Sequence, residues 1–317
     1  MGLRKYVAVR LAVTVPLMFA VSVITFGLVQ LTPGDPVSQL VALNPDVSAT
    51  EVAQLRARYG LQGSVVDQYV RWITDILRGD FGTVISRDAD VGPYILERLP
   101  RTVALGVFGW VIALLIAIPT GVYAAYKKDT FADTASRVFA LSGISLPNFW
   151  LGLMLILVCS LYLGLWPVLA PQQSLLSPDM LWYLILPGAT IGTAASANLM
   201  RVLRSSMAEE MNKEYVTAAR AKGLPERTVI LKHVLRNSLI SVVTLAAFLT
   251  ASIVAGSVVV ETVFAWPGLG RAFISAINGR EIDLVMSLTL FTGVMIILAN
   301  LLADILYAVL DPRIRYD

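Results

Sequence analysis

The chain has 317 residues, of which 56% are hydrophobic and only 15% are charged, with a mean hydropathy of +0.71 and a net charge of +3. These values exclude an ordinary soluble globular domain, in which about 25% of residues are charged. The single cysteine (Cys159) and the single histidine (His233) leave too few ligands for a metal site, and the basic residues lie in a few loops rather than on a nucleic-acid-binding surface.

Long uncharged runs account for the hydrophobicity. Each run supplies the roughly 20 residues that a helix needs to cross a hydrocarbon core of about 30 Å. One run, 138–178, is too long for a single crossing, so we expect a helix to about Leu165 and then an interfacial connection rich in Pro and Trp. The sequence therefore predicts an all-α membrane protein with six transmembrane helices, in the runs 11–34, 102–126, 138–178, 180–200, 237–260 and 284–303.

The first span, within 1–34, sets the orientation. It is too long for the apolar core of a signal peptide, so we interpret it as an uncleaved helix. With the N-terminus in the cytoplasm, sixteen of the 25 Lys and Arg residues fall in inner segments, and the short outer loops hold only Arg271 and Arg280. The positive-inside rule therefore places both termini in the cytoplasm.

The segment 35–101 is predicted to be a small helical region outside the membrane. Its first helix would begin at Ser48 or Thr50 and end at Gly60. A second helix is predicted over 64–78, with one apolar face. Two roles stay open: a cap on the membrane bundle, or a surface that receives a partner protein. The predicted apolar face consists of Val66, Tyr69, Val70 and Ile73.

The core, 102–317, carries polar groups within span four. Asn198, Arg201 and Ser205 share one helical face, and an ionisable group inside a membrane is a candidate for a translocation path. Arg201 lies near the inner end of the span, however, where its side chain can extend to water. We therefore favour that interpretation over contact with a substrate.

Rows of small residues also occur in spans four and five. Such rows let helices approach closely, so packing within the subunit is the favoured interpretation, and an interface with a second membrane subunit stays open. The rows are Gly188, Gly192 and Ser196, and Ser252 and Gly256.

The inner loop 205–237 has a pattern that a merely solvated loop does not explain. A helix-favouring stretch ends at Gly223, a natural left-handed terminator, and Pro225 suits the first turn of a second helix. Ala218 and Ala219 lack bulk, so another surface could approach the backbone there. The pattern predicts a helix, a tight turn and a second helix.

Two further polar sites follow span five. Glu261 begins the stretch ETVFAWPGLGR, in which Pro267, Gly268 and Gly270 predict a turn just beyond the span. Trp266 and Phe264 in this stretch suit the headgroup zone. The last span carries its own polar pair, Asn300 and Asp304, for which we favour a structural partnership with a Lys or Arg near another inner helix end over a proton relay.

Five segments in the same order resemble those of ABC importer permeases, and more narrowly those of dipeptide and oligopeptide permeases. The resemblance covers essentially the whole chain. One departure is Thr217, which stands where the "EAA" motif has its glutamate. The segments are TPGDP (32–36), SLPNFWLG (145–152), AARAKG followed by HVLRN (218–223 and 233–237), ETVFAWPGLGR (261–271) and DILYAVLDPRIR (304–315).

The resemblance implies a type I ABC importer fold. It also implies a second permease, two ATPase subunits that bind ATP and Mg, an extracytoplasmic binding protein and a surrounding lipid bilayer, with no cofactor on this chain. The loop that docks on the ATPase would use Glu214, Tyr215, Ala218, Ala219, Arg220, Gly223, His233, Arg236 and Asn237. A translocation path or outer gate would use Asn148, Asn198, Arg201, Glu261, Pro267, Gly268 and Gly270.

The sequence contains none of the motifs GxxxxGK[ST], HExxH, CxxC or GxSxG, so we predict that this polypeptide is not an enzyme and that its partners hydrolyse ATP. Short peptides are the expected substrate, and nickel or another small solute is the alternative within the family. A self-contained secondary transporter is the alternative from another class. Such a transporter would have no use for the loop 205–237, and its sequence is expected to contain an inverted repeat.

Overall fold

The computed structural model describes residues 3–31, 48, 50–53, 62–84, 87, 89–167, 177 and 179–310. The TPGDP motif, most of the helix expected after Ser48 and the DPRIR end of the last motif lie outside these residues.

The described chain is almost entirely helical, as predicted. A two-stranded antiparallel ribbon, β1 (Thr83–Val84) and β2 (Ala89–Asp90), precedes the second long helix. The helices are α1 (Leu3–Leu31), α2 (Val65–Leu77), α3 (Val91–Tyr126), α4 (Phe131–Ser145), α5 (Asn148–Leu155), α6 (Met180–Glu210), α7 (Glu214–Ala221), α8 (Glu226–Thr228), α9 (Leu235–Val263), α10 (Leu269–Gly279) and α11 (Ile282–Leu310), with π-helical turns π1 (Ile156–Tyr162) and π2 (Val229–Val234).

Within the described residues, five helical segments are long and apolar enough to cross a membrane, and there are six when the bent pair α4–α5 is counted as one span. This agrees with the six spans predicted from the sequence. The end of the bundle that carries 211–234 is called the loop end below, and the other end is called the far end.

Span three departs from the prediction of one helix to about Leu165. The axes of α4 and α5 differ by 106°. Leu146, at φ −82° and ψ 127°, has left the helical region, and Pro147 follows at the N-cap of α5. A residue before proline disfavours the helical conformation, and proline has no N–H to continue the ladder. The bend therefore lies within a single uncharged run.

The row of small residues in α6 packs within the subunit, as favoured from the sequence. A Cβ built on Gly188 would lie 2.5 Å from the Phe108 ring of α3, and one on Gly192 would lie 2.8 Å from the Gly109 carbonyl oxygen. Glycine is required at Gly192 because the obstacle is backbone, which cannot turn away. The side chains of Ser252 and Gly256, in the second row, are not among those described.

This crossing gives a first prediction. Gly192→Val should force α3 and α6 apart and lower the free energy of unfolding by about 3 kcal/mol, at the upper end for overpacked cores. The matched control is Gly27→Val in α1, because a Cβ at Gly27 meets nothing within 4 Å. Thermal unfolding of the purified protein in detergent measures both. Equal unfolding midpoints for the two variants would contradict the close α3–α6 approach.

The helix α2 packs on the far half of α1. It begins with a capping box in which Ser64 and Asp67 exchange hydrogen bonds. The Tyr69 hydroxyl lies 2.8 Å from the Ser22 hydroxyl, and its ring lies edge-on to Phe26 at 5.5 Å. The described part of the outer region therefore covers the first span.

The apolar face predicted for α2 was half wrong. Tyr69 and Ile73 are partly buried as expected, but Val66 is 69% exposed and Val70 is 52% exposed. Trp72 takes their place, 5.7 Å from the Phe26 ring. The larger indole buries more apolar area than a valine would, and this turns the helix.

Candidate functional site

The loop end carries the helix, turn and second helix predicted over 205–237. Helix α7 runs from Glu214 to Ala221, and Gly223 follows with φ +75°. That left-handed conformation favours glycine, and a Cβ there would meet nothing within 4 Å. Pro225 then precedes the short α8, which continues into π2 and α9. The turn therefore projects into open space.

The two alanines of α7 face opposite ways. Ala218 is exposed, whereas Ala219 is 8% exposed and packs inward beside the fully buried Val216. Ala218 therefore offers a partner a close approach to the backbone, whereas Ala219 contacts the bundle, and docking at this helix stays a prediction.

A hydrogen-bonded network holds α7 to the bundle. The Tyr215 hydroxyl donates to Glu210 Oε2 at 2.6 Å and accepts from Asn237 Nδ2 at 3.0 Å. Lys213 pairs with the same Glu210 carboxylate. Burial, followed by the hydrogen bond to Glu210, raises the pKa of the Tyr215 phenol, so the phenol keeps the proton that it donates. Tyr215 and Asn237 thus fix the loop to the helical bundle.

An ion pair closes the turn itself. Arg220 Nη2 lies 2.8 Å from Glu226 Oε1, across Gly223. Both side chains are about two-fifths exposed, so the pair contributes at most about 1 kcal/mol and mainly fixes the direction of the turn. His233 is half-buried in π2, while Glu214 and Arg236 are exposed.

At the far end, Glu261 organises the turn between α9 and α10. Its side chain is 0% exposed, and it lies in the last turn of α9, which continues past the predicted span 237–260 to Val263. Its carboxylate accepts from Thr102 Oγ1 at 2.9 Å and from the backbone N–H groups of Gly270 at 2.7 Å and Arg271 at 3.1 Å. The hydroxyl of Ser257 donates as well.

The rest of this motif is equally enclosed. A Cβ at Gly268 would lie 2.5 Å from the Glu261 carboxylate, and one at Gly270 would lie 2.4 Å from the Val258 Cα. Pro267 is buried, and so is Trp266, whose Nε1 donates to the Arg101 carbonyl at 3.0 Å. The indole therefore packs inside the protein, and its place in the headgroup zone stays a prediction. In this structure the predicted gate residues form a packed, hydrogen-bonded corner with no exposed carboxylate.

The remaining residues predicted for a path do not come together. Asn148 is half-buried at the start of α5. Asn198 is half-buried and donates to the Ala194 carbonyl of its own helix. Arg201 is exposed, which agrees with a side chain that extends to water. A role for these residues in a path stays a prediction.

The polar pair of the last span has a partner at the loop end. Asp304 Oδ2 lies 3.1 Å from Arg10 Nη1 of α1, a basic residue near another helix end as expected. Asn300 is exposed. The ion pair joins the first span to the last.

The sequence reasoning missed one charged cluster. Asp133 of α4 is 0% exposed, and Arg204 of α6 binds it through two hydrogen bonds of 2.6 and 2.7 Å. Arg137 adds a contact of 2.9 Å. An acidic residue followed four positions later by arginine is visible in the sequence, but the link to Arg204 is not. The cluster ties the bent span to the helix that leads into α7.

Comparison with known families identifies the family of this chain. Residues 117–316 match the family described as "Binding-protein-dependent transport system inner membrane component", and residues 3–106 match the N-terminal region of such components. The chain belongs to this family. It is an ABC transporter permease and a multi-pass protein of the inner membrane, a class that transports and does not catalyse.

Several curated relatives are similar over nearly the whole permease. The oligopeptide transport system permease protein AppB of Bacillus subtilis is 36% identical over 98% of this chain and 99% of its own. A putative peptide transport system permease protein of Brucella abortus is 37% identical, over 97% of this chain and 98% of its own. The dipeptide transport system permease protein DppB of Escherichia coli is 34% identical, over 98% and 99%.

A solved structure supports the fold. The MetNI methionine ABC transporter, in an inward-facing conformation, is similar with a TM-score of 0.56 over 69% of this chain and 96% of that chain, at 14% identity. This agrees with the type I importer fold expected from the sequence.

Proposed function

We propose that the permease is the transmembrane subunit of an ATP-driven importer that carries di- and oligopeptides across the cytoplasmic membrane, with both termini in the cytoplasm. Its relatives over nearly the full length are named as oligopeptide, dipeptide and putative peptide permeases. The distribution of basic residues supports the orientation.

The partners proposed are a second permease, two ATPase subunits that bind ATP and Mg²⁺, and an extracytoplasmic binding protein that delivers the peptide. The observation that supports coupling to an ATPase is the form of the loop. Ala218 and Gly223 are exposed on a turn that Tyr215, Glu210 and Asn237 fix to the bundle. A small, rigidly mounted protrusion transmits a partner's movement better than a flexible loop would.

In the proposed cycle, ATP binding closes the ATPase pair and opens the pathway outward, and hydrolysis returns it inward. Force on α7 would pass into α6 through Glu210 and from there to α4 through the Arg204–Asp133 contact. A ligand moves such an equilibrium only by its differential affinity for the two states, so ATP must favour the outward state.

The test compares two glycines that have the same local geometry. Gly223 (φ +75°) and Gly79 (φ +89°) both lack any atom within 4 Å of a built Cβ, but Gly79 follows α2. Valine at either site costs about 1–2 kcal/mol of local strain. We expect Gly223→Val to reduce ATP-driven peptide uptake about tenfold, through the loss of about 1.4 kcal/mol of docking energy. Gly79→Val should keep uptake near the wild-type level.

Uptake by the complete complex in proteoliposomes and co-purification of the ATPase subunits measure the effect. Equal uptake and equal ATPase retention in the two variants would contradict docking at this turn. Uptake by the permease without any ATPase would instead favour the secondary transporter. The substrate is tested separately by the thermal shift of the co-purified binding protein with dipeptides, oligopeptides and Ni²⁺.

A further inference from the structure

A groove of about 590 Å³ opens on the side of the loop end, between the last turns of α3 and the segment formed by α8, π2 and the start of α9. Its wall is mostly apolar. Some of these side chains are widely exposed: Tyr123 is 55% exposed, Tyr126 is 50% exposed and Leu231 is 44% exposed. The lining residues are Ile118, Pro119, Val122, Tyr123, Tyr126, Glu226, Arg227, Ile230, Leu231 and Leu235.

The groove lies where two apolar segments of membrane-spanning length end and begin. Tyr126 is the last residue of α3, and Lys127 and Lys128 follow it. The other wall belongs to the first turns of a second apolar segment that begins at Glu226. Two tyrosines at such a level suit the zone between headgroups and acyl chains. From Ile118 to Tyr126 the helix rises about 12 Å, which is enough to line the upper part of an acyl chain.

The charge at the mouth of the groove is positive. Glu226 is engaged by Arg220 at 2.8 Å. Arg227 lines the groove and is exposed, and no ion pair of Arg227 occurs among the described residues. Lys127 adds a second cation, with its ammonium 5.4 Å from the centre of the Tyr126 ring. An apolar wall with a cationic mouth complements a lipid that has an anionic headgroup.

We propose that this groove binds an anionic phospholipid of the adjacent leaflet, with an acyl chain along Val122, Ile230 and Leu235 and the phosphate near Arg227 and Lys127. The inference requires only that the chain spans a membrane and does not depend on peptide import. Because π2 joins α8 to α9, the bound lipid contacts the element that connects the turn at Gly223 to α9.

The experiment uses the complete complex in phosphatidylcholine nanodiscs. One preparation contains a trace of phosphatidylglycerol with a photoactivatable diazirine on its acyl chain, and the other contains phosphatidylcholine with the same chain. Labelled peptides are identified by mass spectrometry. We expect phosphatidylglycerol to label residues 118–126 and 230–235 more strongly than phosphatidylcholine does. The attraction of one basic side chain to an anionic headgroup corresponds to about a fivefold difference in labelling.

Three variants sharpen the result. Arg227→Gln should lower the ratio of phosphatidylglycerol to phosphatidylcholine labelling about fivefold. Lys232→Gln is the matched control, because Lys232 is an exposed cation of π2 that does not line the groove, and it should leave the ratio unchanged. Leu231→Trp fills the groove and should reduce labelling by both lipids. Equal labelling by the two lipids would overturn the proposal. So would the absence of labelling in the groove together with labelling of another protein chain that covers it.

Discussion

Glu261→Ala is expected to lower the free energy of unfolding by about 4 kcal/mol, because it leaves several buried donors without an acceptor. The Thr102 hydroxyl and the Gly270 N–H point at this carboxylate from buried positions, and the part-buried Arg271 N–H points at it as well. Each stranded donor costs about 1–3 kcal/mol. Removing the carboxylate also removes the cost of burying its charge. The expected total is therefore smaller than the sum of the costs of the stranded donors.

The isosteric variant Glu261→Gln separates charge from shape. Its amide oxygen still accepts, but its NH₂ group meets donors where the second carboxylate oxygen stood, so we expect a loss between those of wild type and Glu261→Ala. The matched control is Thr262→Ala, since Thr262 is exposed and its hydroxyl donates to the Val258 carbonyl of its own helix. Thermal unfolding in detergent and abundance in the membrane measure all three. A Glu261→Ala midpoint equal to that of the control would show that the corner does not depend on the carboxylate.

The six spans could be predicted from the sequence because lipid leaves the backbone no alternative. An apolar run of about 20 residues must satisfy its N–H and C=O groups internally, and a helix does so. The turn at Gly223 and Pro225 was equally accessible, since both residues act on backbone within a few positions. Local chemistry determines these features, and local sequence therefore predicts them.

The bend in span three was not accessible in this way. The uncharged run continues across Pro147, and proline alone does not decide the matter. Pro16, Pro119 and Pro187 lie inside helices that remain continuous. Packing decides the bend instead. Helix α4 lies against α6, where a Cβ at Gly143 would come within 3.0 Å of Ala197. Helix α5 lies against Phe264 near the far end.

The burial of Glu261 could not be predicted for a related reason. A charged residue after an apolar run indicates the end of the span, because a lone carboxylate in lipid is costly. The groups that make it tolerable are distant in the sequence: Thr102 is 159 positions away. The N-terminal N–H groups of α10 supply the rest, and helix N-termini favour carboxylates. Such a site follows from tertiary structure and not from residue pattern.

The second large effect is expected at the opposite end, for Arg204→Met. Asp133 is 0% exposed, and Arg204 supplies two of its closest hydrogen bonds, at 2.6 and 2.7 Å. Removing one partner of a buried ion pair costs about 3–5 kcal/mol, since the other charge stays buried. We expect about 3 kcal/mol, the lower end, because Arg137 still contacts the carboxylate at 2.9 Å.

Arg137→Met is the matched control for the same carboxylate, and because Arg137 is 53% exposed it should cost less than about 1 kcal/mol. The double variant Asp133→Leu with Arg204→Met should recover much of the stability, as apolar replacements of buried pairs often do. If the pair also carries movement from α6 to α4, the double variant will unfold near the wild-type temperature, and the complex that contains it will hydrolyse ATP with little peptide uptake. Recovery of both stability and uptake in the double variant would show that the pair only holds the bent span in place. An Arg204→Met variant as stable as Arg137→Met would show that the pair does not hold the span in place either.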